Sequence, residues 1–178
     1  MENGEALNMS LQLLGAILII AACGGIGFGM ALHDKKELMS LRQLHAAAEH
    51  MYCELNCHLT PLPMLLRNTA AQCQGCLHRY FTLLAEELEN QIAPDVYSCV
   101  EVSLARSNDI PRKTREMLLL MGQGMGQFNL EGQLKELENV STACQRICEQ
   151  MEMDRPQRLR SYPTLGLCVG GILAILFL

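Results

Sequence analysis

Two uninterrupted apolar stretches, one near each end of the chain, dominate the pattern of hydrophobic and polar positions. The first runs from Leu11 to Leu32 without a charged side chain, and the second runs from Tyr162 to Leu178. A helix of about 20 apolar residues is long enough to cross the hydrocarbon core of a bilayer, which is about 30 Å thick. The pattern therefore predicts a transmembrane helix at each end, over residues 11–32 and 162–178.

Between these stretches, hydrophobic residues recur every three or four positions, which is the spacing of amphipathic helices. Such helices bury their apolar stripes against one another, so the pattern predicts an all-α fold, an antiparallel bundle of about six helices. The predicted helices cover residues 11–57, 60–72, 76–90, 93–106, 112–123 and 129–154. We expect the first helix, which continues from the membrane span as a stalk, to pack against the last. An intermolecular coiled coil is the alternative for these two stripes.

Local turn signals set the predicted helix boundaries. Thr60 is placed to cap the second helix, with Pro61 at its first position. Gly75 separates the second helix from the third, and the glycine-rich segment Gly122 to Gly126 is predicted to be a hinge that lets two helices turn tightly and pack closely. Pro156 is expected to end the last helix of the domain, ahead of a basic linker.

Basic residues next to the two predicted membrane spans determine the predicted orientation of the chain in the membrane. Lysines follow the first span and arginines precede the second, whereas residues 1–10 contain neither. These flanking residues are Lys35, Lys36, Arg155, Arg158 and Arg160. By the positive-inside rule, residues 33–161 form a cytoplasmic domain and residues 1–10 an extracytoplasmic tail. The predicted protein is thus a hairpin rooted in the cell membrane.

A lipoprotein is the alternative for the N-terminal stretch. The segment from Ile20 to Cys23 resembles the cleavage box of a bacterial lipoprotein, in which a lipidated cysteine becomes the new N-terminus. A secretory signal begins with a positively charged region, which this chain does not have, and its apolar core is shorter than the stretch seen here. We therefore favour a membrane helix that contains a small cysteine.

Small residues in both predicted spans indicate sites of close helix packing. The glycines concerned are Gly15, Gly25, Gly29, Gly166 and Gly170. Two pairs, Gly25 with Gly29 and Gly166 with Gly170, are spaced four apart, which lets helix backbones approach one another. The spacing predicts that the spans pair with each other or with partner helices.

Composition narrows the classes of protein that the pattern allows. Tryptophan is absent and aromatic residues make up 4% of the chain, which favours helices over sheets. The formal net charge is −5, with 14 basic and 19 acidic residues. A nucleic-acid-binding domain carries a clear basic excess, so nucleic acid is not an expected partner.

Nine cysteines are the most conspicuous candidate chemistry. Three pairs have the spacing of ligands on one helix face or in a CxxC motif, namely Cys53 with Cys57, Cys73 with Cys76, and Cys144 with Cys148. They allow a metal-binding or redox-sensing protein as an alternative function. We favour thiols that act as small buried hydrophobes in a reducing cytoplasm, and we expect no metal or cofactor.

No other motif indicates catalysis. The glycine-rich segment Gly122 to Gly126 follows no predicted strand and lacks the Gly-Lys-Ser/Thr of a phosphate-binding loop, so nucleotide binding is not expected. The sequence contains no combination of nucleophile, histidine and carboxylate that differs from the polar residues expected on solvated helix faces. The sequence therefore predicts a protein that is not an enzyme.

In four segments, Leu13 to Ala22, Thr60 to Leu62, Leu120 to Gln133 and Arg158 to Leu178, the chain resembles the stage III sporulation protein AB family of endospore-forming bacteria, and the resemblance extends along nearly its whole length. Thr60-Pro61-Leu62 is similar to the start of a helix in that family, and Leu120 to Gln133 resembles its most specific motif. The motif residues are Gly122, Gly126, Gln127, Asn129 and Gln133. Leu13 to Ala22 and Arg158 to Leu178 resemble its two membrane helices. Met125 and Asn129 stand where the family usually has leucine and aspartate, and Asn129 can still cap the last helix.

This resemblance implies a non-enzymatic component of the channel complex that links the mother cell to the forespore. It implies a multi-pass protein of the mother-cell membrane whose cytoplasmic helical domain is similar to the type II secretion F domain. It further implies that this domain docks a cytoplasmic secretion-type ATPase and other channel subunits. A homo-oligomer is compatible with the same role.

Overall fold

The structure is a computed structural model of the chain. It describes residues 29, 32–90, 95–126 and 129–177, with the side chains described as far as residue 153. The chain divides into two compact units. One is Lys36–Met151, and the other combines Met1–Lys35 with Glu152–Leu178.

The regular elements of the described residues are all α-helices. Their bounds are residues 32–58 for α1, Leu62–Gln72 for α2, Gly75–Glu89 for α3, Val96–Arg106 for α4, Arg112–Met125 for α5 and Leu130–Phe177 for α6. Consecutive helices from α2 to α5 pack on one another in order along the chain. The predicted all-α fold is confirmed, and the helix ends at Gln72 and Arg106 fall where the turn signals put them.

Helices α1 and α6 lie side by side and run in opposite directions. The Nδ1 atom of His45 is 2.9 Å from Ser141 Oγ and 3.1 Å from the Ser141 carbonyl oxygen. Burial raises the pKa of the Cys148 thiol, and the nearby positive charge of Arg42 opposes that rise. Going back along α1 from His45 to Arg42 therefore means going forward along α6 from Ser141 to Cys148. This is the antiparallel pairing of the stalk and the last helix that the stripes predict.

The core lies where the predicted apolar stripes converge. Its largest fully buried side chains are Leu41, Leu44, Met51, Leu65, Leu66, Leu77, Tyr80, Phe81, Leu84, Leu118, Met121 and Leu137. The rings of Tyr80 and Phe81 meet edge to face with their centroids 5.2 Å apart, a favourable geometry for aromatic pairs. Leu130, the first residue of α6, is an exception and remains 39% exposed.

Two predicted helix boundaries are wrong. The segment from Gly122 to Gly126 is not a hinge, because α5 continues through Gly122 and Gly124 as far as Met125. Pro156 does not end the last helix, because α6 continues to Phe177. A proline removes only one backbone donor and can kink a helix without ending it, while a glycine weakens a helix by only about 1 kcal/mol.

Helix α3 buries a charged residue, Glu87. Glu87 is 3% exposed and its Oε1 accepts a hydrogen bond from the guanidinium of Arg106 on α4. The Arg106 side chain is 56% exposed, so this ion pair joins a buried acid to a largely solvated base. The helical period places Glu87 near the edge of the apolar stripe, and packing of α4 on α3 then covers it.

Helix α5 is capped by a residue from a distant part of the chain. Pro111 stands at its N-cap and provides no side-chain hydrogen bond. Instead Glu37 of α1, which is 6% exposed, accepts the backbone N–H of Lys113 at 2.9 Å through its Oε1. A carboxylate at a helix N-terminus satisfies a free donor and interacts favourably with the helix dipole. Glu37 therefore fixes the start of α5 against α1.

Within the described residues, none of the helices combines the length and the apolar character needed to cross a membrane. The predicted first span, residues 11–32, lies outside the described residues apart from Gly29 and Leu32. The predicted second span, residues 162–178, falls within the bounds of α6 up to Phe177, where the side chains are not described.

We expect the ion pair between Glu87 and Arg106 to respond asymmetrically to substitution. Arg106→Ala leaves the carboxylate of Glu87 buried without its partner and should lower the free energy of unfolding by about 2–4 kcal/mol. Glu87→Gln removes the buried charge but retains a polar group beside Arg106, and should cost about 1 kcal/mol. Chemical unfolding of the full chain, followed by circular dichroism, measures both values, and equal losses would contradict this description of the pair.

Candidate docking surface

The connection between α1 and α2 has an unusual backbone. Leu59 has a φ of 50°, in the left-handed region that non-glycine residues seldom occupy. Its N–H donates to the carbonyl oxygen of Leu55 at 3.3 Å, which ends α1. The next residue, Thr60, is 9% exposed, and its hydroxyl donates to Glu54 Oε2 at 2.9 Å. These two hydrogen bonds hold the turn against the end of α1.

Thr60 does not cap α2, so the prediction of its role is wrong. Pro61 is the N-cap residue, and its carbonyl oxygen accepts the N–H of Leu65 at 2.9 Å. The hydroxyl of Thr60 is used by Glu54 instead, which stabilises the turn before the helix. Leu62, the third residue of this predicted motif, is half-buried and packs against the core. The motif therefore determines the path of the turn from α1 into α2.

The turn and the start of α2 expose three apolar residues, Leu59, Pro61 and Met64, which we call the apolar corner. Leu59 is 67% exposed and Met64 is 58% exposed. Pro61 is also exposed, and it lies three residues before Met64, a spacing that makes neighbours on a helix surface. The hydrophobic pattern alone does not predict this feature. The available signal was an apolar residue, Leu59, directly before the predicted helix start at Thr60 and Pro61.

The apolar corner lies at the end of α1 opposite Lys36. The helix from Lys36 to residue 58 is about 33 Å long at the usual rise per residue. The chain enters and leaves the unit Lys36–Met151 at the same end, because α1 and α6 are antiparallel and Arg42 lies near Cys148. The corner is therefore far from both chain ends of this unit.

The connection between α5 and α6 carries the second group of predicted motif residues. The Oδ1 of Asn129 accepts the N–H of Gly132 at 3.2 Å, so Asn129 caps α6 as predicted. The Gln133 side chain reaches back to the carbonyl oxygen of Met125, with a long distance of 3.5 Å. Gln127 lies outside the described residues.

The glycines of α5 allow close packing of neighbouring helices, as the motif predicted. A Cβ atom added at Gly122 would lie 2.8 Å from a methyl carbon of Val100. A Cβ atom at Gly124 would lie 1.9 Å from the Cγ and 2.4 Å from the Cβ of Glu136 on α6. At Gly126 the nearest atoms would be 3.9 Å away, so that position has room for a side chain.

The predicted membrane-packing glycines are largely outside the described part of the chain. Gly15 and Gly25 are not described, and Gly166 and Gly170 lie in the portion of α6 whose side-chain surroundings are not described. Gly29 is helical, and no described atom lies within 4 Å of a Cβ added there. Its predicted role in helix packing stays a prediction.

Most of the described thiols belong to the core. Cys73, Cys99, Cys144 and Cys148 are buried, Cys76 is partly buried, and Cys53 and Cys57 are exposed. Burial raises the pKa of Cys73 to about 11 and that of Cys144 to about 12, with a smaller contribution in each case from the neighbouring cysteine of its pair. Thiols with such pKa values are protonated at neutral pH and are poor nucleophiles and metal ligands. The favoured interpretation is confirmed for the four buried cysteines.

The thiols are not assembled into a metal-binding cluster in the described residues. Over that part of the chain, no group of three or more histidine, cysteine, aspartate and glutamate side chains is placed to hold a metal ion. Cys53 and Cys57 share a helix face but lie on α1, while Cys144 and Cys148 are buried on α6. The arrangement thus supports packing as the role of the buried pairs.

These features define the chain as an all-helical bundle protein with two structured turns and an exposed apolar corner. The family model of Stage III sporulation protein AB matches residues 12–178, and the chain belongs to this family. It is 24% identical over 171 residues to Stage III sporulation protein AB of Bacillus subtilis (strain 168). The aligned region covers 94% of this chain and 99% of that protein. The resemblance noted in the sequence is confirmed, and the relatives are sporulation proteins.

A solved structure of Stage III sporulation protein AB has the same fold. The two structures superpose with a TM-score of 0.61 at 20% sequence identity. The match covers 68% of this chain and 98% of the solved chain. At this identity the likeness concerns the fold alone.

We expect substitutions at two glycines of the motif to have opposite effects. Gly124→Ala places a methyl group against the Cβ of Glu136, which cannot swing away, and should lower the free energy of unfolding by about 1–3 kcal/mol. Gly126→Ala is the matched control. It has room for the methyl group and a φ of −77°, so it should be neutral or stabilising by up to about 1 kcal/mol. Thermal unfolding measures both, and comparable losses at the two sites would contradict close packing at Gly124.

We also expect stability to fall in alkaline solution because of the buried thiols. Below pH 9 the Cys144 thiol is protonated in both states, since its pKa rises from 9.0 to about 12 on folding. Between pH 9 and pH 12 the unfolded chain releases this proton while the folded chain retains it, so unfolding becomes more favourable as pH rises. Cys144→Ala should reduce this pH dependence and Cys57→Ala, at an exposed site, should not. Urea unfolding at pH 8, 9, 10 and 11 tests the difference.

Proposed function

We propose that this protein is a non-enzymatic assembly component of the channel complex between mother cell and forespore. In this proposal, two transmembrane helices anchor it in the mother-cell membrane with the central domain in the cytoplasm. The domain docks a cytoplasmic secretion-type ATPase through the apolar corner, and its remaining surface contacts other channel subunits. Membership of a family of sporulation proteins supports a role in sporulation. The geometry of the bundle supports the proposed anchoring and docking.

The antiparallel pairing of α1 and α6 supports a membrane hairpin. Both chain ends of the unit Lys36–Met151 leave at the same end of this helix pair. The apolar stretches 11–32 and 162–178 come directly before and shortly after the unit in the sequence. A domain whose two ends emerge together can be held by two spans in one bilayer without a long connection.

The apolar corner carries the proposal of docking. Leu59 is two-thirds exposed, and Met64 in the first turn of α2 is more than half exposed, at the end of α1 far from both chain ends. A few side chains near the centre of a protein interface contribute most of its affinity, and exposed apolar patches mark such interaction sites. If the bundle is anchored at its other end, the corner projects into the cytoplasm, where a soluble ATPase can reach it.

The rigidity of the corner favours binding over a role as a flexible linker. The hydrogen bond from Thr60 to Glu54 and the fixed φ of Pro61 restrict the turn before any partner arrives. A surface that is already ordered loses less conformational entropy on binding. A left-handed residue such as Leu59 costs free energy, and such residues tend to cluster at functional positions.

No specific observation favours the alternative of a metal or redox sensor. Two of its candidate thiols, Cys73 and Cys144, are buried and have raised pKa values. The lipoprotein alternative depends on Cys23, which lies outside the described residues. We therefore take the assembly role as the proposed function.

Substitutions in the apolar corner should weaken recovery of the ATPase. In sporulating cells that carry a tagged version of this chain, Leu59→Ser and Met64→Gln should each reduce the ATPase that co-purifies by about tenfold or more, as loss of a central apolar contact does. Met39→Gln is the matched control, because Met39 is 53% exposed but lies near the opposite end of α1. It should leave recovery unchanged.

Each variant is first compared with the unsubstituted chain for its amount in the membrane fraction after an alkaline carbonate wash. This comparison separates loss of docking from loss of anchoring or of folding. Full recovery of the ATPase with both corner variants, present at normal levels in the membrane, would overturn the docking surface. Release of the unsubstituted chain by carbonate would overturn the anchoring.

A further inference from the structure

The start of α5 is strongly basic and is joined to Glu37 of α1 in the same unit. Arg112, Lys113 and Arg115 occupy its first positions, and the side chain of Arg112 is 88% exposed. The N–H of Lys113 donates to Glu37, so the start of α5 lies beside Glu37 and its exposed neighbour Lys36. Two segments far apart in the sequence thus form one surface, which we call the basic end and define as Lys36, Arg112 and Lys113.

The acidic residues of this surface are already engaged. Glu37 is buried, and its Oε1 accepts the N–H of Lys113. Glu116 is paired with Arg112 at 3.1 Å on the same helix, an exposed pair that neutralises only part of the local charge. Asp109, just before the helix, is paired with Arg79 at 3.0 Å. A positive excess therefore remains at the basic end.

The other arginine in the first turn of α5, Arg115, has a structural role. Arg115 donates to the carbonyl oxygen of Ser107 at 3.1 Å. Lys36 and Lys113, by contrast, have no acidic partner among the described residues, and Lys36 is exposed while Lys113 is partly exposed. Their ammonium groups are available to an anionic partner, together with the free donors of Arg112.

The position of the basic end in the chain indicates which anion it meets. Lys36 follows Leu32, the end of the predicted first span, by four residues, or about 6 Å of helix. Basic groups next to a span lie within reach of the negative surface potential of the cytoplasmic leaflet, which falls off within about a Debye length. Each such group contributes to binding of anionic headgroups.

We infer that the basic end binds the anionic phospholipid headgroups of the membrane in which the chain is anchored. This inference rests on the anchoring in the proposed function and adds an electrostatic contact between the bundle itself and the bilayer. Because α5 is fixed to α1 through Glu37, contact at Arg112 and Lys113 orients the whole bundle. It holds the apolar corner, at the other end of α1, away from the lipid surface.

Acetylation of lysines in the full-length chain tests the contact. The chain is reconstituted in nanodiscs of phosphatidylcholine alone or with phosphatidylglycerol, treated with a neutral acetylating reagent, and analysed by mass spectrometry. Lys36 and Lys113 should react at least about threefold more slowly in the anionic nanodiscs, and 0.5 M salt should remove the difference. Lys135 is the internal control, because it is exposed on α6 near Glu136, at the far end of α5.

A charge variant distinguishes headgroup binding from a general effect of the anionic surface on the reagent. Arg112→Gln combined with Lys113→Gln should reduce the protection of Lys36, whereas Lys135→Gln should leave it unchanged. Equal acetylation rates at Lys36 in the two kinds of nanodisc, with the chain incorporated in both, would overturn headgroup binding but leave the proposed anchoring intact. Failure of the unsubstituted chain to enter phosphatidylcholine nanodiscs would overturn the anchoring, and the inference with it.

Discussion

The antiparallel packing of α1 on α6 is the contact on which the rest of this structure depends. These helices come from opposite ends of the domain, and their contact brings His45 to within hydrogen-bonding distance of Ser141. Closing so long a loop costs conformational entropy, which the buried stripes of the two helices must offset. The intervening helices α2 to α5 pack in chain order, so their connections remain short. The same pairing brings the two chain ends of the domain together, which suits the proposed membrane hairpin.

Two buried carboxylates make further contacts between helices of the bundle. Glu37 joins α1 to the start of α5, and Glu87 joins α3 to Arg106 near the end of α4. Each is almost fully buried, and an acid in that position is tolerated only when charged donors or backbone N–H groups face it. They give the bundle directional contacts that apolar packing alone does not provide, because hydrophobic burial is non-directional.

The two ends of the bundle differ in chemistry. One end carries Leu59 and Met64, which are apolar and exposed, and the other carries Lys36, Arg112 and Lys113. A protein that is anchored in a membrane and also binds a soluble partner needs such a division along its long axis. In our proposals the charged end contacts the bilayer and the apolar end contacts the ATPase.

The sequence by itself determined the helices and the class of protein. Hydrophobic period and turn residues placed the ends of α2 and α4 at Gln72 and Arg106, and the motif residues identified the family that the comparisons confirm. These signals are local, since a helix and its cap depend on residues a few positions apart. The cap of α6 by Asn129 is of this kind.

The tertiary structure decided which polar and small residues have special roles. Glu37 caps a helix that begins far away in the sequence, Glu87 is buried by α4, and Gly124 is required by the approach of Glu136. Thr60 could have capped α2, but its hydroxyl donates to Glu54 instead, and Leu59 in the same turn remains exposed. None of these outcomes follows from periodicity, because the partner in each case is set by how helices pack and how the chain turns between them.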